Sequence, residues 1–155
     1  DDGYKDLVGE ILEKSKTHNC SIYYPLDVVV SKELNGDGAI KEINQISNDE
    51  MILDIGPKTI ASIKVIVNNS NTVLWNGPAG YFENPNFANG TKEILEIITN
   101  KRSKDKIYSV AGGGETVAVI NKFNKTNSFN FVSTAGGAFL EYLEGKELPG
   151  IKALS

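Results

Sequence analysis

Three short stretches of the 155-residue chain combine glycine with hydroxyl, amide and acidic side chains in a way that suits phosphate chemistry. They are "NGPAGYFE" at 76–83, "GGGET" at 112–116 and "STAGG" at 133–137. Each follows a short apolar run, so each reads as a turn at the carboxyl end of a strand, and two of them open helical patterns. Such turns expose backbone N–H groups, and helix N-termini add partial positive charge. With the hydroxyls of Thr116, Ser133 and Thr134 they favour an anion, most simply phosphate. Any one glycine turn is explained by a tight bend and close packing, whereas three on one edge point further. The dinucleotide code G-x-G-x-x-G is absent from "VAGGGETVA", and Gly145-Lys146 is followed by Glu147, so no G-x-x-x-x-G-K-[ST] loop occurs either. A nicotinamide dehydrogenase is therefore a distant alternative.

The elements around these turns follow from hydrophobic spacing. Tyr4, Leu7, Val8, Ile11 and Leu12 recur at helical intervals up to Lys16 and predict an amphipathic helix. "CSIYYPLDVVVS" reads as two strand-like runs broken at Pro25, with Val28 to Val30 buried. "KELNGDGAIKEINQISNDEM" is polar, and its Asn-Gly and Asp-Gly pairs predict a loop or an edge hairpin. Beyond it the pattern alternates: a helix opening at Pro57, a short buried strand "TVLWNG", and a helix placing Ile94, Ile97 and Ile98 inward. The strand "KIYSVA", the helix "GETVAVINKF", the strand "FNFVS" and a last helix ending at Gly145 follow. Alternating apolar strands and amphipathic helices predict a three-layer, Rossmann-like α/β domain, with helices on both faces of a mostly parallel sheet. Ligands of such folds sit outside the carboxyl ends of the strands, where the three turns fall.

Bulk properties narrow the chemistry. The size suits one globular unit, and a net charge of -4 with a single arginine, Arg102, disfavours nucleic acid and membrane surfaces as partners. One cysteine, Cys20, permits no intrachain disulfide, and with one histidine, His18, no Cys/His zinc site can be assembled. No run reaches the ~18 apolar residues of a membrane span. A cytoplasmic setting is expected, and the start at Asp1 inside a helical pattern suggests a fragment.

In order and spacing, "PLDVVV" at 25–30, "LDIGPKT" at 53–59, "WNGPAGYFE" at 75–83, "AGGGET" at 111–116 and "STAGGAFLEYLEGKELPG" at 133–150 resemble phosphoglycerate kinases. The resemblance covers essentially the whole chain. It implies that residues 1–155 are the second half of the family's C-terminal, nucleotide-binding domain, with the N-terminal substrate domain and the first part of this domain absent. It implies a magnesium-dependent, monomeric kinase that interconverts ATP plus 3-phosphoglycerate with ADP plus 1,3-bisphosphoglycerate, and a fragment inactive alone. A non-catalytic nucleotide-binding or structural relative is the alternative.

The same resemblance assigns roles. Glu83 matches the acid that accepts hydrogen bonds from the ribose, and Asn76 lies near the nucleotide phosphates. Gly77, Pro78 and Gly80 shape the wall beside the base, while Leu53 and Tyr81 line the adenine pocket. Gly112, Gly113 and Gly114 form a phosphate turn, followed by Glu115, associated with Mg²⁺, and the hydroxyl of Thr116. The family's usual residues are aspartate at the position of Glu115 and valine at that of Tyr81. Gly136 and Gly137 match the helix N-terminus whose amides face the phosphoryl group in flight, with Ser133 and Thr134 as caps. Arg102 and His18 match no family motif and read as solvated residues, in a loop and near a helix end.

Overall fold

The computed structural model describes residues 2–104 and 107–154, and Asp1 lies outside them. A helix, α1 (Lys5–Thr17), precedes an antiparallel sheet of order β2-β1-β3, built from β1 (Asp27–Ser31), β2 (Ala39–Glu42) and β3 (Met51–Ile55). The helix α2 (Pro57–Asn68) leads to a parallel sheet of order β4-β5-β6: β4 (Thr72–Asn76), β5 (Tyr108–Gly112) and β6 (Phe131–Val132). The connections β4-α3-β5 and β5-α4-β6 run through α3 (Asn89–Lys104) and α4 (Gly114–Lys122). The chain closes with α5 (Gly137–Leu143) and a four-residue α6 (Pro149–Lys152). The α/β class holds, its parallel sheet coming from the second half of the chain and an unforeseen antiparallel sheet from the first.

The core lies on one face of the parallel sheet. Trp75 and Ala111 pair across β4 and β5 and meet Val67 of α2, Leu95 and Ile98 of α3, and Val119 and Ile120 of α4. Because strand side chains alternate, Leu74, Tyr108 and Phe131 point the other way and are 45%, 52% and 52% exposed. The ring of Phe139 from α5 reaches that second face at Gly112, where a Cβ would lie 2.5 Å from Cε1.

Several local expectations need correction. The first run of "CSIYYPLDVVVS" forms no strand: Ile22, Tyr23 and Tyr24 are exposed. A strand needs neighbours, and among the described residues nothing pairs with it. Strand β3, at the end of the polar loop, and α6 go beyond what the hydrophobic spacing predicts. Of the expected buried strand β4, Trp75 alone is buried. Helix α1 forms as its spacing predicts, yet none of its residues is buried. Arg102 has its backbone in α3 instead of a loop, and its side chain lies outside the described residues. His18 is exposed at the end of α1, with Nδ1 2.9 Å from the Lys14 carbonyl.

Candidate nucleotide site at the strand ends

Register fixes where the turns meet. Asn76 pairs with Gly112, and Ala111 with Val132, so β4, β5 and β6 all end at the same edge. The turns after them therefore emerge side by side, as the sequence predicts. Gly77 has φ +93, Gly113 φ +91 and Gly136 φ +58, each in the region that side chains oppose. These three glycines are demanded by backbone conformation alone. Gly114 and Gly137 are different: a Cβ at either meets nothing within 4 Å. No neighbour in this chain excludes a side chain there.

The first two turns are fastened together. The amide of Gly77 donates to Thr116 Oγ1 at 2.6 Å, and a Cβ on Gly113 would stand 2.5 Å from Asn76 Oδ1. Thr116 is fully buried, so its hydroxyl faces the first turn. In the third turn, Ser133 Oγ accepts from Ala135 N at 3.3 Å. The N-cap of α5 is Gly136, with no side-chain cap, so neither Ser133 nor Thr134 caps that helix.

From Gly77 the chain crosses to the antiparallel sheet as a strap. Ala79 N donates to Thr91 Oγ1 at 3.1 Å, and Tyr81 N to the Leu53 carbonyl at 2.7 Å. A Cβ on Gly80 would lie 2.5 Å from Asp54 Oδ1 and 2.6 Å from the Phe87 carbonyl. Glycine is thus required at 80 by close approach. The strap and β3 enclose a cleft of about 380 Å³, whose lining includes Leu53, Pro78, Gly80, Tyr81 and Glu115. Five of the predicted site residues meet here, at an apolar wall of Val28, Ile52 and Ile55. Leu53 is 8% and Tyr81 36% exposed, so the phenol opens outward while the leucine is part of the wall. Glu83 is exposed and does not line this cleft; it sits in the turn before the short helical segment Pro85–Phe87. Glu115 opens α4 and is exposed.

Two buried acids that the sequence reading gave no role hold this arrangement. Asp27, 2% exposed, receives Lys58 N at 3.0 Å on Oδ2 and both Thr59 N at 2.8 Å and Thr59 Oγ1 at 2.9 Å on Oδ1. It therefore closes the N-terminus of α2. Burial pushes its pKa up, but the amides of Lys58 and Thr59, the Thr59 hydroxyl and the Lys58 charge outweigh that and hold it below the ordinary value. Asp54, 1% exposed, does the same for α3: Oδ2 accepts from Gly90 N and Oδ1 from Ile55 N, both at 2.8 Å. Here burial wins, and the pKa is raised despite these donors. The signal was present in the sequence: a lone acid inside an apolar strand, in "PLDVVV" and "MILDI", must find donors when buried.

A model of one protein family, phosphoglycerate kinase, matches residues 1–146. The chain belongs to the phosphoglycerate kinase family. A phosphoglycerate kinase of Francisella philomiragia is 48% identical over 155 residues, covering 97% of this chain and 38% of the relative. One from Xanthobacter autotrophicus is 44% identical over 151 residues, again covering 38% of the relative. The chain thus spans about 38% of the length of these phosphoglycerate kinases. Among solved structures, phosphoglycerate kinase from Coxiella burnetii superposes with a TM-score of 0.89 at 40% identity, over 100% of this chain and 40% of that one. The Pyrococcus horikoshii enzyme gives 0.80 at 31% identity, over 98% and 36%. The Rossmann-like α/β class expected from the alternating pattern is that of these structures.

Proposed function

We propose that this chain supplies the Mg-nucleotide half of a phosphoglycerate kinase, which moves a phosphoryl group between ATP and the carboxylate of 3-phosphoglycerate. Residues 1–155 are, in this reading, part of the nucleotide-binding domain, and the acid substrate belongs to a part of the protein outside this chain. The supporting observation is the shared edge: three glycine turns, two of them opening helices, end adjacent parallel strands in register. Family membership adds the reaction.

The roles divide along the edge. The base lies in the cleft of Leu53, Pro78, Gly80 and Tyr81, and Glu83, outside that lining, is the acid that the family resemblance assigns to the ribose. Asn76 and the amides of Gly112, Gly113 and Gly114 receive the phosphates. The amides of Gly136 and Gly137 face the transferring group, where preorganised N–H donors stabilise developing charge without reorganising. The open space at Gly114 and Gly137 leaves room for phosphate oxygens to approach the backbone.

Glu115 would hold the magnesium ion. Among the described residues no three acidic, histidine or cysteine side chains gather to hold a metal. That suits Mg²⁺, which keeps several waters and takes one or two carboxylates plus substrate phosphates. When bound, the ion neutralises phosphate charge; the carboxylate of Glu115 orients it from the first turn of α4. No helix among the described residues is long and apolar enough to cross a membrane, and a cytoplasmic, monomeric enzyme is the setting we infer.

Titration calorimetry tests the reading. Weak binding of MgADP by this chain is expected, with phosphoryl transfer requiring the substrate-binding part. Absence of adenine-nucleotide binding by the full-length protein would overturn it.

A further inference from the structure

We propose that Asn35 is a site of spontaneous covalent modification, converting through a cyclic imide with Gly36 to aspartate and isoaspartate, and that the isoaspartate form loosens the turn that carries Glu83; the second part rests on the nucleotide reading above. The backbone nitrogen of Gly36 bonds to Cγ of Asn35, the bond from Cγ to Nδ2 breaks, and the side-chain nitrogen leaves as ammonia with the proton from Gly36. Water then opens the imide. Attack at Cγ gives aspartate; attack at the main-chain carbonyl gives isoaspartate, whose backbone is one atom longer. Glycine favours the ring closure because it puts no Cβ in the path of its own nitrogen.

The sequence contains three such pairs, Asn35-Gly36, Asn76-Gly77 and Asn89-Gly90, and the structure separates them. Ring closure needs the nitrogen to come free and approach the carbon to about 3–3.5 Å. Gly90 N donates to Asp54 Oδ2 at 2.8 Å, on a carboxylate that is 1% exposed, and Asn89 belongs to α3, whose first turn must unwind before the ring forms. Gly77 N donates at 2.6 Å to the hydroxyl of the buried Thr116, and Asn76 is held in the ladder opposite Gly112. Gly36 N is held only by a turn bond to the Glu33 carbonyl at 3.0 Å, in a hairpin loop where Glu33, Leu34 and Asn35 are all exposed. Exposed turn bonds open by local fluctuation, whereas buried ones need a larger opening.

The carbonyls on either side of Asn35 are both in use. Asn84 Nδ2 donates to the Leu34 carbonyl at 2.8 Å and Asn86 Nδ2 to the Gly36 carbonyl at 3.3 Å, while Asn84 Oδ1 accepts from Asn86 N at 2.9 Å. Two donors two residues apart thus match two acceptors two residues apart, and they fasten the segment that begins immediately after Glu83. An extra backbone atom between Leu34 and Gly36 breaks that match. An aspartate at 35 leaves the backbone length, and so the match, intact.

The full-length protein is incubated at mildly alkaline pH, which favours attack by the amide nitrogen, and the products are mapped by mass spectrometry of its peptides. Asn35 is expected to yield both aspartate and isoaspartate, with Asn76 and Asn89 at least about tenfold slower while the protein is folded, the worth of one further hydrogen bond; in urea the three rates converge. An intact Asn35, or Asn76 or Asn89 keeping pace with it in the folded protein, would overturn the site. Calorimetry then compares MgADP binding by the native form, by the modified fraction separated through its added charge, and by Asn35→Asp. The modified fraction should bind several-fold more weakly and Asn35→Asp as the native does, and the difference should vanish in a Glu83→Gln background. Equal binding by native and modified forms would overturn the link to Glu83, as would an equal loss in Asn35→Asp or a loss that persists in Glu83→Gln. If the native protein bound no nucleotide, the functional reading would fail, while the peptide map would still decide whether Asn35 is the modified residue.

Discussion

Replacing Asp27 by Asn tests how the buried carboxylates hold the frame. An asparagine keeps one oxygen for Thr59 but turns an NH₂ group toward Lys58 N, placing two donors face to face at the present 3.0 Å. The variant loses one charge-assisted hydrogen bond, about 1.5–3 kcal/mol, and leaves a partly buried N–H without an acceptor, about 1 kcal/mol more. Loss of the negative charge at the start of α2 adds about 0.3–1 kcal/mol. We expect a total of about 3–5 kcal/mol, equivalent to a melting point lowered by about 6–20 °C for a chain of this size. Urea unfolding followed by the single tryptophan, Trp75, and by helical circular dichroism measures it. Trp75 reports on α2 because Val67 shares its core cluster.

The pH dependence gives a second handle. The folded pKa of Asp27 lies below its ordinary value of 3.8, so the unfolded chain takes up the proton first as pH falls. The stabilisation is therefore complete above 3.8 and lost as pH drops through the folded value. Asp54, with its raised pKa, has the opposite sign, its burial costing stability as pH rises from 3.8. It is present in both proteins and cancels in their difference. The gap between native and Asp27→Asn should be constant near neutrality and close under acid. A loss below about 0.5 kcal/mol at neutral pH, within the range of an ordinary surface change, would refute the reasoning; so would a gap that survives full acidification.

Gly113→Ala should cost about 1–3 kcal/mol, because φ is +91 and the new Cβ would press Asn76 Oδ1. Gly114→Ala, with nothing within 4 Å, should leave stability within about 0.5 kcal/mol yet weaken MgADP binding by blocking approach to the backbone. Paired urea titrations and calorimetry check both substitutions. In the full-length protein, Glu115→Asp should raise or preserve kinase activity, since the carboxylate moves by about 1.5 Å, a shift on the scale that can alter rates 10²-fold. Inactivity of both the native protein and this variant in a coupled assay would favour the non-catalytic relative.

Where one strand pairs with its neighbours through sequence-local connections, the pattern was enough. The alternation from Pro57 to Gly145 predicts α2, β4, α3, β5, α4, β6 and α5 in order, because each apolar strand is followed by an amphipathic helix that packs back on the sheet, α2, α3 and α4 on one face and α5 on the other. The antiparallel sheet was harder to read, since β3 is half exposed and its partner β1 lies across a polar hairpin. The three turns were legible because glycine marks positive φ, as at Gly77, Gly113 and Gly136. What joins them was not: the Gly77–Thr116 and Gly80–Asp54 contacts are non-local, and no spacing rule connects residues 39 and 26 positions apart. Glu83 shows the converse, a residue that the family motif names but the cleft lining leaves out.

The most direct measurement is an NMR titration of MgADP into the chain with the backbone amides assigned. The account expects saturable shifts concentrated at Gly77, Gly112 to Glu115 and Gly136 to Gly137, with Leu53 and Tyr81 responding to the base. Saturable shifts confined to other surfaces, such as the cleft between α2 and α3 lined by Lys64 and Lys101, would contradict it.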